Sequence, residues 1–94
     1  QEEVPLVLMG DFDAPPDEAA LAPIAIHGLD PALPPGAVDT TLVVSRGHQP
    51  RVIDHIFVDR DHFAVRDARR IGDVAVDGEY PSDHFGVAAT LTLR

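Results

Sequence analysis

The chain is 94 residues long, enough for one small domain with a limited core. Its apolar fraction of 45% is too high for a disordered chain, and the absence of Cys excludes disulfides and thiolate-held metals. A net charge of −9 repels nucleic acid and disfavours sequence-independent binding along DNA, and no apolar run reaches the length of a membrane span. Residues 1–3 lack the basic start and apolar stretch of a signal peptide. The chain does not begin with Met, so a processed, trimmed or cloned fragment is expected, from which an upstream targeting signal could have been lost, and the compartment stays open.

In chain order, residues 4–9 form a nearly continuous apolar run that ends at Gly10 and reads as a buried strand. Residues 11–17 are a loop marked by Pro15 and Pro16. Asp17 is placed to cap a short helix through Leu21, with Pro23 as its stop. Gly28, Pro31, Pro34, Pro35 and Gly36 make residues 28–37 a loop, with room for one helical turn. Residues 40–44 read as a short strand and residues 46–50 as a polar turn. Residues 52–58 read as a second strong strand, followed by a turn over 59–61. Phe63, Val65 and Ala68 alternate imperfectly and suggest an edge strand over 63–71; residues 84–93 read as the last strand.

Three segments place acidic residues or Asp-His pairs next to these strands: Gly10-Asp11-Phe12-Asp13-Ala14-Pro15, Ile53-Asp54-His55-Ile56-Phe57-Val58 and Ser82-Asp83-His84-Phe85-Gly86-Val87. In this order they resemble the last three motifs of the endonuclease/exonuclease/phosphatase (DNase I-like) family, which read roughly GDFN, RIDYIF and SDH. The resemblance runs from about Val4 to Leu93. It implies an α/β (α+β) fold: the C-terminal half of a DNase I-like four-layer β-sandwich flanked by helices, mostly strands and long loops. Residues 1–94 would then be the C-terminal part of a single domain. The N-terminal half, with the family's metal-binding Glu, would be absent, leaving one sheet largely without its partner.

The resemblance implies Mg²⁺-dependent hydrolysis of a phosphodiester or phosphomonoester. Such chemistry needs an aimed water, neutralised phosphoryl oxygens and help for the leaving oxygen. Mg²⁺ is content with one or two carboxylates and several waters; Mn²⁺ and Ca²⁺ also accept oxygen ligands. By resemblance Asp11 orients the water, Asp54 holds His84 through one ring nitrogen, His84 contacts the scissile phosphate as base or proton carrier, and Asp83 contributes to the metal. Asp13 stands where the family usually has Asn. An ionised Asp cannot donate to a phosphate oxygen, so Asp13 is protonated, faces a cation or is a tolerated variant. Strand periodicity sends His55 to the opposite face from Asp54, which makes it structural. Thr41 lies where the family often has a Thr near the site, and Arg51 resembles the basic residue before the family's Ile-Asp pair. His27, His48 and His62 read as surface histidines.

The implied partners are a phosphate-ester substrate and the remaining half of the domain. The acidic charge favours small or lipid-linked phosphates over long DNA. The competing expectation is a non-catalytic remnant that binds a partner or self-associates through a bare sheet face.

Overall fold

The computed structural model describes residues 4–94; residues 1–3, on which the signal-peptide reading rests, lie outside the described part. The class is the expected one, mostly strands with long loops and little helix. Strands β1 (Val7–Asp11), β2 (Leu29–Pro31) and β3 (Asp54–Asp59) form an antiparallel sheet in the order β1-β3-β2. Strands β4 (Phe63–Ile71) and β5 (Gly86–Leu93) form a second, two-stranded antiparallel sheet. Parts of two sheets are therefore present, which corrects the expectation of one sheet lacking its partner.

The sheets meet through a small apolar core. Ala32, Ile56 and Val58 form its centre, and Val7, Val65, Ala68, Val87, Ala89 and Leu91 pack against it. The period of two in β3 decides what faces where. Asp54 shares the inner face with Ile56 and Val58, while His55 and Phe57 take the outer face with Phe12. In β4 the inward positions shift phase between Val65 and Ala68. A β-bulge between Val65 and Asp67 leaves Arg66 without a ladder partner, and this explains the imperfect alternation of the sequence.

Several local expectations change. The helix does not start at Asp17 and stop at Pro23. A 3₁₀ turn over Ala19–Leu21 leads into α1 (Ala22–Ile26), with Pro23 in its first turn, where a missing N–H costs nothing. Residues 40–44 form no strand; Leu42 makes an isolated bridge to His84, and a 3₁₀ turn occupies Val44–Arg46. Within the expected loop over 28–37, Leu29–Pro31 pairs with β3 because Leu29 is buried there.

The first apolar run is not buried. Val4, Leu6, Leu8 and Met9 are 67%, 54%, 42% and 64% exposed. β1 pairs with β3 on one side, and its other edge has no strand beside it among the described residues. An apolar run can mark a strand, but what covers it is a matter of neighbours.

Val58 has no exposed surface and sits at the centre of the core. Val58→Ala is expected to lower unfolding stability by about 2 kcal/mol through lost burial and a residual cavity. Denaturant unfolding measures this; a change within experimental error would mean the two sheets do not pack as described.

Candidate active site

The site lies where β1 ends and β3 begins. Gly10 has φ of 153°, a conformation L side chains rarely adopt, and it delivers Asp11 at the strand end. In the ladder Asp11 is directly opposite Asp54, so both carboxylates emerge on the inner face. His84 enters from the segment before β5. Its Nδ1 is 2.9 Å from Asp54 Oδ2 and its Nε2 is 4.0 Å from Asp11 Oδ2. Ligand atoms of Asp11, Asp54 and His84 all lie within 4.8 Å of one another. A cleft of about 260 Å³ opens beside them, lined by Met9, Phe85 and Val87 among others. A larger cavity of about 570 Å³ lies among Pro15, Pro16, Pro34, Pro35, Arg51 and His55, and neither Asp11, Asp54 nor His84 lines it.

Thr41 sets the scaffold. Its side chain is fully buried, and Oγ1 accepts from the N–H of Ile53 at 3.0 Å and of Asp54 at 3.2 Å. Its backbone N–H donates to Arg51 O, and its carbonyl accepts from Phe85 N–H at 2.7 Å. One residue thus ties the start of β3 to the segment carrying His84. The sequence places Thr41 near the site; the structure makes it a support behind Asp54.

Asp13 adopts φ of 54°, a left-handed conformation that Asp tolerates, and its N–H donates to Asp11 Oδ1 at 2.9 Å. Arg51 is the basic neighbour of Asp13. Arg51 donates to its carbonyl at 3.0 Å and approaches its carboxylate at 3.9 Å. The Asp13 side chain is otherwise turned to solvent, outside the group formed by Asp11, Asp54 and His84.

Asp83, assigned to the metal by resemblance, is also outside that group; its Oδ2 is 3.5 Å from His48 Nε2. His48, read from sequence as a surface residue, stands with its ring 6.5 Å from the ring of His84. No local pattern marks it, because it reaches the site through the fold of the 46–50 turn. His55 is buried on the outer face, bonded through Nε2 to Ala14 O at 2.6 Å. His27 is exposed at the end of α1, and His62 pairs with Asp59.

The sequence of residues 1–84 matches the model of the endonuclease/exonuclease/phosphatase family. The chain belongs to this family. No curated protein and no solved structure gives a significant match. The family groups phosphoester-cleaving hydrolases, and Asp11, Asp54 and His84 form a candidate group for holding a metal ion.

The electrostatics follow from the contacts. The hydrogen bond to Asp54 raises the His84 imidazole above its ordinary value; partial burial opposes this, and the charges of Asp54, Asp11 and Asp83 reinforce it. For Asp83, desolvation would raise the carboxyl, but the hydrogen bond from His48 and the charge of His84 prevail and hold it below its ordinary value.

Two outcomes are expected. His84 binds its proton more tightly in the folded state, so its contribution to stability is full below the unfolded value of about 6.5 and is lost as pH rises through the higher folded value. The ring resonances of His84 should titrate above the ordinary value, and Asp54→Asn should bring the midpoint down; an unmoved midpoint would refute the pairing. Thr41→Val leaves two buried N–H groups without their acceptor and should cost about 1–3 kcal/mol, with Thr41→Ser recovering most of it. Equal stability of the Val and Ser variants in denaturant unfolding would contradict the supporting role.

Proposed function

We propose that the protein is a metal-dependent phosphoesterase whose water-activating machinery is Asp11, Asp54 and His84. The observation that carries this reading is their convergence within 4.8 Å on the inner sheet face. Two carboxylates directly opposed across a strand pair repel each other, and a cation relieves that repulsion. Asp11 and Asp54 offer the hard oxygens that Mg²⁺ prefers, and Mn²⁺ or Ca²⁺ would accept the same donors. When bound, the ion would neutralise charge on the phosphoryl group.

The remaining chemistry belongs to the side chains. Asp54 takes the Nδ1–H of His84 and fixes the tautomer, which leaves Nε2 as a proton acceptor. Asp11, on the far side of Nε2, orients the attacking water. The water oxygen bonds to phosphorus, its proton passes to Nε2, and the ester oxygen departs with the electron pair of the broken P–O bond. The −9 charge favours small or lipid-linked phosphate esters over long DNA.

We further propose that the site is shared with a preceding segment that supplies the family's metal-binding Glu and covers the open edge of β1. The apolar exposure of Val4, Leu6, Leu8 and Met9 supports this. Residues 1–94 alone should then turn over very little substrate.

Hydrolysis of bis(p-nitrophenyl) phosphate and p-nitrophenyl phosphate by the full-length protein tests the reading. Turnover should need Mg²⁺, stop with EDTA, and fall at least about 100-fold in His84→Ala while the fold persists. Near-normal turnover in that variant removes His84 from the mechanism. Absence of wild-type turnover with Mg²⁺, Mn²⁺ and Ca²⁺ leaves a non-catalytic module. Robust turnover by residues 1–94 refutes the shared site.

A further inference from the structure

The larger cavity stands apart from the acidic cleft and plays no part in the reading above. It lies past the end of β2, among the 15–17, 31–39 and 50–52 segments, and its volume of about 570 Å³ suits a small molecule. Six of the chain's nine prolines line it: Pro15, Pro16, Pro31, Pro34, Pro35 and Pro50. Proline fixes φ and carries no N–H, so this wall is stiff, apolar and poor in backbone donors. A stiff wall loses little freedom when a ligand arrives, and proline rings pack well against flat aromatic faces.

Polar recognition therefore falls to side chains, and the most buried of these is His55. It is 5% exposed, and the pleat of β3 sends its ring to the outer face, 5.8 Å from the ring of Phe12 and 5.3 Å from that of Phe57. Nε2 donates to Ala14 O at 2.6 Å. A carbonyl only accepts, so the proton belongs to Nε2, and in the neutral ring Nδ1 holds a lone pair. Nδ1 has no hydrogen-bond partner among the described residues, yet none of their fully buried side-chain nitrogens is left unsatisfied. Nδ1 therefore reaches open space, and the cavity is the open space that His55 lines away from Asp11 and Asp54.

Charge narrows the choice of ligand. Asp17, Asp39 and Arg51 stand exposed at the cavity. Asp13 engages Arg51, and Arg70 lies 3.4 Å from Asp39. Asp17 remains without an ion-pair partner among the described residues, so the uncompensated charge at the cavity is negative and disfavours an anion.

We propose that this cavity is a binding site for a flat aromatic or heteroaromatic ring, neutral or cationic, whose N–H donates to His55 Nδ1. The prolines hold the faces of the ring, and the imidazole fixes its orientation. The site does not use Asp11, Asp54 or His84, so it stands independently of the phosphoesterase reading.

The test titrates the full-length protein with indole, which carries one N–H, and with benzofuran, which has the same shape without it. Ring ¹⁵N signals of the histidines are the readout. Indole should bind saturably and shift the Nδ1 signal of His55, with that of His84 unmoved. Benzofuran should bind at least about fivefold more weakly, as loss of one hydrogen bond to a buried acceptor requires, and indole-3-carboxylate should bind more weakly than indole. Val38→Trp, which fills the cavity and leaves His55 in place, should abolish the response to indole. No saturable binding of indole, equal affinity for benzofuran, an undiminished response in folded Val38→Trp, or movement of His84 in place of His55 would each overturn the proposal. Because the isosteric pair is compared on the wild-type protein, the outcome does not depend on the variant folding.

Discussion

Asp11 and Asp54 face each other across hydrogen-bonded strands, an arrangement that like charges disfavour, and His84 lies against both. This conflict of charge and its partial relief organise the site. The ladder register fixes the two residues opposite each other, so their backbones cannot separate without breaking the pairing of β1 with β3. The imidazole compensates for part of their charge, and in return it is oriented and its proton is held more tightly. Under the proposed reading a cation and a phosphoryl group are its ligands, since one needs concentrated oxygens and the other needs fixed donors.

The scaffold behind the site is built from backbone groups gathered by Thr41. A buried hydroxyl that accepts from both Ile53 and Asp54 leaves little freedom at the start of β3. The same residue's carbonyl anchors Phe85, so the segment carrying His84 is registered against the strand carrying Asp54. Arg70 adds a brace by stacking 4.5 Å over the Phe85 ring while donating to Thr40 O. The placement of Asp54 and His84 thus comes from supports behind them.

Packing is economical in this chain. A few inward residues from each sheet form the core, while one side of β1 and much of the 72–79 segment remain in solvent. The inner face does two jobs: its middle joins the sheets through Ile56 and Val58, and its end carries Asp54 into the cleft. A change at Val58 therefore bears on the alignment of Asp54 and His84 as well as on stability.

Much of the site was legible in the sequence because its signals are local. Gly10-Asp11, Ile53-Asp54 and Asp83-His84 announce acidic groups at strand ends, and the period of two separates Asp54 from His55 without any structure. Family membership was legible for the same reason, since motif order survives in one dimension. Only the tertiary structure decided the rest. The register that sets Asp11 opposite Asp54 depends on pairing between segments some 40 residues apart. Asp13 faces Arg51, and Asp83 faces His48, because loops distant in sequence meet there. Pro23 sits in the first turn of a helix because the 3₁₀ turn before it supplies the first bend, and residues 40–44 stay out of a sheet because the backbone of Thr41 joins Arg51 and Phe85. Local chemistry and periodicity are written residue by residue; register, loop encounters and cover are set by which surfaces bury one another.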